Sequence, residues 1–287
     1  MPRIRVVTDS ACDLPDALLK QLQITVVPHS LGWPGDSEAD RAHVSAEQFH
    51  RRLRSEAATP EVHPPTIEEF THTYRSLRET CDGVLSLHVS SRLSDTLANA
   101  ATAREAFGPV GQGGPFPISL VDSLSMSMGL GWITLAVARA AQQGFDLARL
   151  TNMATRLSGQ SHVAFFTEQL TGLLKTGRVP RISSQLDSLT AMRPLFHLDE
   201  GQVVVYERTR TRAKARDALY NFVEDFPKIG EIAIMHTGSQ TDLEHLLTRV
   251  GAIYPRERVL IVPPGPAVAA WLGPDALGVA VLEGEEV

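Results

Sequence analysis

The chain is poor in several features that would place it in a particular class, and each lack excludes something. Cys12 and Cys81 are the only cysteines among 287 residues, which provides no disulfide framework and fits a reducing cytosol. No stretch approaches the ~20 apolar residues needed to span a bilayer. The N-terminus runs directly into a strand-like segment without a signal-peptide pattern, so a cytoplasmic protein is expected. Lysine is scarce: Lys20, Lys175, Lys214 and Lys228 are the four lysines among 27 basic residues. We read the arginine excess mainly as genomic base bias, the remainder as arginine recognition of acidic groups. A net charge of −6 argues against a general nucleic-acid surface. Zinc-ligand spacings, a P-loop, Gly-x-Gly-x-x-Gly and a Gly-x-Ser-x-Gly elbow are all missing. Neither a metal nor a nucleotide cofactor is therefore expected, and the enzyme reading is weakened.

What is present is an ordinary soluble composition, 43% hydrophobic and 21% charged, in a chain long enough for roughly two domains. Strand-like runs at 3–8, 24–28, 83–89 and 117–122 alternate with helix-like runs at 15–22, 46–56, 66–79, 94–107 and 125–143. That alternation predicts βαβ units and a mainly parallel sheet flanked by helices. Asp13 is a plausible N-cap of the first helix, with Pro15 tolerated in its first turn. The long excursion 29–65 is expected to be functional or to cross between domains, while the Gly/Pro-rich stretch 108–117 reads as a surface turn. After about residue 158 the texture changes. Apolar runs at 163–166, 189–195, 203–206, 231–236, 259–262 and 277–282, with helices near 167–176, 211–224 and 240–253, predict an α+β domain with a mixed or antiparallel sheet. Asp199-Glu200-Gly201 marks a hairpin. We therefore expect an α/β protein with domains 1–158 and 159–287, the segment 58–75 being a candidate to pack on the second domain, and a ligand between the two.

Three hydroxyl-rich clusters carry the chemistry: Thr8-Asp9-Ser10, Ser90-Ser91-Arg92-Leu93-Ser94-Asp95-Thr96 and Val121-Asp122-Ser123. Each sits where a strand gives way to a helix. In an open parallel sheet such ends face a common crevice, and hydroxyls with helix N-terminal N–H groups there suit a phosphate or a carboxylate. Ser94 is placed as the N-cap of the 95–107 helix, and as an isolated residue it would be explained by capping alone. Asp95 beside it opposes an anion unless it points away. Gly129 and Gly131 in the 125–143 helix imply close approach of another backbone or an apolar ligand, backbone packing being favoured. Arg178 and Arg181 lie in a loop, either solvated or paired with a carboxylate or phosphate. Arg208, Arg210, Arg212 and Lys214 precede or open a helix whose dipole they oppose, so stability alone does not explain them.

Taken in order, Thr8–Pro15, Ser90–Thr96, Val121–Ser123, Leu173–Val179, Met192–Leu195, Arg208–Arg210 and Gly273–Gly278 resemble the DegV family of bacterial fatty-acid-binding proteins, over nearly the whole chain. The resemblance implies a two-domain α/β carrier with no catalytic activity of its own. One long-chain fatty acid would be buried between the domains, its carboxylate held by hydroxyls and, in members with a partner fatty acid kinase, presented for phosphorylation. Ser94 corresponds to the carboxylate-binding serine. Ser91, Thr96, Asp9, Ser10, Ser123 and Arg178 are the further candidates around it.

Three departures from the family pattern stand out. Val62-His63-Pro64-Pro65-Thr66 takes the place of a Thr-Ser-Gln-Pro-Ser segment, so Val62 cannot donate to the carboxylate; His63, Thr66 and Thr59 are the candidates to substitute. Trp271 stands where the family usually has a histidine, and Asp275 where it has a glycine. Asp95 replaces a glycine beside Ser94. The rival readings are a divergent carrier of another amphipathic acid or lipid, and a hydrolase or transferase acting through Ser94.

Overall fold

A computed structural model describes residues 3–36, 46–107, 116–185, 189 and 192–284. The first half runs β1 (Ile4–Asp9), α1 (Asp16–Gln21), β2 (Thr25–Val27), β3 (Ser30–Gly32), α2 (Ala46–Ser55), β4 (Glu61–His63), α3 (Ile67–Arg78), β5 (Gly83–His88), α4 (Thr96–Glu105), β6 (Ile118–Asp122), α5 (Met128–Gln142) and α6 (Leu147–Ser158). The second half runs β7 (Ser161–Phe166), α7 (Thr171–Lys175), α8 (Pro180–Ser183), β8 (Leu195–Asp199), β9 (Gln202–Glu207), α9 (Arg212–Glu224), β10 (Ile229–His236), α10 (Gln240–Val250), β11 (Leu260–Val262), α11 (Pro266–Leu272) and β12 (Leu277–Glu283).

β2-β1-β5-β6 form a parallel sheet. β11-β10-β12-β7-β8-β9 form a mixed one, parallel only between β10 and β11. The expected α/β architecture is thus present. Alternating side chains sort each strand between two cores, as the two-residue period of a strand requires. Val163 and Phe165 of β7 face one core, Ala164 and Phe166 the other. The first core is shared: α5 touches β1 and β5 on one side and β7, β10 and β12 on the other. α3 and α4 cover the far face of the parallel sheet through Phe70, Tyr74, Ala100 and Ala103, and α9 and α10 cover the far face of the mixed sheet through Leu219, Val223, Leu243 and Leu246.

α5 can occupy this middle layer because two of its positions lack a side chain. A Cβ on Gly129 would stand 2.5 Å from Val163 Cγ2, and one on Gly131 2.6 Å from the Cys12 carbonyl oxygen. Protein packing therefore accounts for both glycines. The hairpin signal is also realised: Glu200 (φ 46°) and Gly201 (φ 79°) link Asp199 to its partner Gln202. The sign of those angles is what a two-residue hairpin turn needs.

Several local expectations are corrected. Asp13 does not cap α1, whose N-terminus has no side-chain cap; its carboxylate instead accepts from Ser127 Oγ (2.5 Å) and from Gly265 N (2.8 Å), 252 residues away. Ser94 lies one residue ahead of Asp95, the observed N-cap of α4. The strand expected at 189–195 begins only at Leu195. Residues 190 and 191 lie outside the described residues, as does most of 108–117. α6 and α11, absent from the expectation, are both helical; Asp146 caps α6 by accepting from Arg149 N, and Pro266 occupies the first turn of α11. Of the basic residues before and at the start of α9, Arg212 is ion-paired, with Asp242 (2.5 Å) and Glu168 (3.0 Å), and Arg208 donates to Gln185 Oε1; one turn on, Arg216 also contacts Asp242 (2.9 Å).

The excursion 29–65 folds back on itself. β3 and β4 pair antiparallel, with Leu31 opposite Val62. Trp33 and Phe49 (ring centroids 4.9 Å apart) pack with Ala269 and Ala270 of α11. Lys175 of α7 reaches Thr59 O at 2.8 Å. The ribbon thus binds to elements that come more than 100 residues later.

Candidate functional site

The strand order reverses at β1: the chain passes from β1 outward to β2, then returns to β5 on β1's other side. Ligands of open α/β sheets bind beyond the C-terminal strand ends at such a reversal. Here those ends carry Asp9 and His88. Asp9 is fully buried. Its Oδ2 accepts from Val89 N (2.9 Å) and His88 Nδ1 (3.1 Å), and its Oδ1 from Ala11 N (3.0 Å). Burial acts to raise its pKa, but the hydrogen bond from His88, the nearby histidines and the Val89 N–H together hold it below the usual carboxylate range. Behind it His88 Nε2 meets Ser86 Oγ at 2.7 Å, and Ser86 meets the Tyr74 hydroxyl at 2.8 Å.

Beside Asp9 stands His29, the first residue after β2 and Pro28. Its Nδ1 lies 3.1 Å from Ser10 Oγ and 4.0 Å from Asp9 Oδ1. Its Nε2 lies 3.2 Å from Thr96 Oγ1, which lies 2.8 Å from Ser94 Oγ. The hydroxyls of Ser94 and Thr96 and the imidazole are buried. The Trp271 ring, at the end of α11, meets the His29 ring edge to face with centroids 6.0 Å apart. A polar line thus runs Tyr74–Ser86–His88–Asp9 and, across the 4.0 Å from Asp9 Oδ1 to His29 Nδ1, on through His29–Thr96–Ser94. Trp271 also borders a cleft of about 320 Å³, together with Val62, His63, Gly172 and Lys175.

The residues singled out from the sequence divide into two groups. Ser94, Thr96, Ser10, Asp9 and Trp271 converge on His29. The others do not enter that line. Ser91 donates to Asp122 Oδ2 at 2.5 Å, and Ser123 Oγ accepts from Ser125 N at 3.0 Å; the third cluster therefore pins the second in place. Thr66 forms a capping box with Glu69 and is exposed. His63 is exposed, 3.7 Å from Glu61. Arg178 pairs with the Asp95 carboxylate and donates to Ser91 O at 3.4 Å, which offsets the negative charge that stood against an anion at Ser94. The sequence reading did not select His29 or His88. His88 was legible as a polar residue closing an apolar strand; His29 had no local signal, because its partners lie 19 and 67 residues away.

The family model described as "Uncharacterised protein, DegV family" matches residues 3–284. The chain belongs to the DegV family. A DegV domain-containing protein of Listeria monocytogenes is 29% identical over 282 residues, 96% of this chain and 97% of that one. One from Deinococcus radiodurans is 31% identical over 212 residues, 74% of this chain and 73% of that one. Among solved structures, the fatty-acid-binding DegV family protein of Thermus thermophilus shares 28% identity with a TM-score of 0.85, covering 98% of this chain and 100% of that one. DegV from Bacillus subtilis, described as a fatty acid binding protein, superposes with a TM-score of 0.84 at 23% identity, covering 99% of this chain and 100% of that one, and supports the DegV fold alone. Among the described residues of this DegV chain, no helix is long and apolar enough to cross a membrane.

Proposed function

We propose that this chain is a cytoplasmic carrier that buries one long-chain fatty acid between its parallel-sheet half, residues 1–158, and its mixed-sheet half, residues 159–287. It has no catalytic activity of its own. The observation that carries the reading is the buried Ser94–Thr96 hydroxyl pair (2.8 Å) at the sheet's reversal point, with Leu93, Trp271 and Leu272 of the shared apolar core in adjoining positions. Burial of an acyl chain contributes about 0.8 kcal/mol per CH₂, and the carboxylate tolerates desolvation only if hydrogen-bonded. The fatty-acid-binding relative from Thermus supports the substrate class. Presentation of the carboxylate to a partner fatty acid kinase is the further role we assign to it.

The test is denaturing extraction of the purified protein with mass spectrometry of the extract. A long-chain acyl species at close to one per chain is expected, and delipidation is expected to lower the melting temperature, because a ligand bound only by the folded state stabilises it. No acyl species, together with no melting shift on adding fatty acids, would remove the carrier reading. The imidazole between Asp9 and Thr96 gives a hydrolase reading one supporting feature. Against it, Asp9 Oδ1 is 4.0 Å from His29 Nδ1, beyond hydrogen-bond distance. Turnover of simple esters, lost in Ser94→Ala, would favour the hydrolase.

A further inference from the structure

We propose that His29 is the cationic partner of the bound carboxylate and that it couples retention of the acyl chain to proton uptake. This rests on the carrier reading and goes beyond it. Val62 offers no hydroxyl, and Trp271 sets an indole ring, not an imidazole, beside His29. His63 and Thr66 are exposed and engaged with Glu61 and Glu69. Among the described residues, the basic side chain that meets the Ser94–Thr96 pair is His29, whose Nε2 stands 3.2 Å from Thr96 Oγ1.

The ring is oriented for this role from behind. Ser10 Oγ accepts from the His29 backbone N–H at 2.9 Å and stands 3.1 Å from Nδ1. Asp9 Oδ1, 4.0 Å from that nitrogen, provides a fixed negative charge on the side away from the ligand. The ionisable groups facing the ring are Asp9 on β1, His88 on β5 and Glu69 on α3; α4 offers Thr96 and α11 the Trp271 ring. In the ligand-free chain, burial holds the imidazole below its ordinary value despite Asp9 and Glu69, and His88 acts with burial. At neutral pH the ring is then mainly uncharged, one nitrogen donating and the other accepting in its contacts with Ser10 Oγ and Thr96 Oγ1. A carboxylate arriving at Ser94 and Thr96 adds a negative charge on the Nε2 side and favours the imidazolium. The proton comes from solvent, one per anion bound. The pair formed is a charge-assisted hydrogen bond in a dry site, and it disappears when the ring deprotonates.

The delipidated full chain is titrated with palmitate and with the uncharged analogue hexadecanol, both delivered from cyclodextrin, between pH 6 and 8.5. Palmitate affinity is expected to fall with rising pH, approaching about tenfold per pH unit between the value at which the free ring titrates and the higher value of the complex, and levelling above that, while hexadecanol affinity stays level. In His29→Gln the palmitate slope disappears, leaving a level pH profile like that of hexadecanol in the unaltered chain. Calorimetry of the unaltered chain in buffers of different ionisation enthalpy keeps the test independent of whether the variant folds. It should read proton uptake with palmitate and none with hexadecanol. A wild-type slope retained in His29→Gln, or no proton uptake with palmitate, overturns the role of His29 while leaving the carrier intact. Failure of the unaltered chain to bind either probe overturns both.

Discussion

Ser94 has little structural duty of its own. Its hydroxyl accepts a long 3.3 Å bond from Thr96 N and meets Thr96 Oγ1. Ser94→Ala should therefore cost about 1 kcal/mol of folding stability or less. Loss of a hydrogen bond to a charged carboxylate should cost about 1.5–3 kcal/mol of binding, roughly 10- to 150-fold in Kd. Fluorescence displacement with a fatty acid probe, alongside melting curves, separates the two. Asp13 predicts a pH effect instead. Burial pushes its carboxyl from 3.8 up to about 7, against the opposing bonds from Ser127 and Gly265. A value raised by folding means stability that is complete below the unfolded value and lost as pH rises through the folded one. Between pH 5 and 8 the melting temperature of wild type should fall relative to that of Asp13→Asn. Burial lowers His50, His162, His197 and His236, which act in the opposite direction, so the readout is the difference between the two proteins. Neither Asp13's contact with Gly265 nor His29's with Thr96 was legible in the sequence. The hydroxyl clusters were, because strand-end chemistry is local; a pairing across 67 or 252 residues leaves no local pattern.

The middle helix gives the clearest prediction at the scale of elements. Gly131→Ala places a methyl 2.6 Å from the Cys12 carbonyl oxygen, and a backbone atom cannot rotate aside. Overpacking costs typically about 1–3 kcal/mol, against the up to ~1 kcal/mol that alanine returns in helix propensity. A net loss is expected as a lower urea midpoint with an unchanged slope; an unchanged midpoint would mean that α5 shifts freely between its two sheets. Strands were read well where their pattern was plain, as with the buried runs 83–89 and 277–282 or the hairpin at Glu200-Gly201. The missed α6 had its signal in view: Asp146 as cap, then Leu147, Leu150, Ala154 and Leu157 at helical spacing. The β3–β4 ribbon had none, being three residues a side and held by α11, which lies some 200 residues later.

At the scale of the molecule, the two sheets share one helical layer, α5. Their topologies also differ in a way that sets an order in time. The four strands of the parallel sheet are complete at Asp122, and the helices α5 and α6 that pack on it end at Ser158. The mixed sheet needs β12, which lies between β10 and β7 and pairs antiparallel with each. During synthesis at about 5–20 residues per second, the gap between the last strand of one sheet and the keystone of the other is roughly 8–30 s. From their own synthesis until β12 follows, β7 and β10 each lack the neighbour that β12 provides, and such open edges invite pairing with other chains. A nascent chain halted before Leu277 should therefore protect its first sheet from protease and leave the second digestible, and it is at this stage that a ribosome-bound chaperone would find its client.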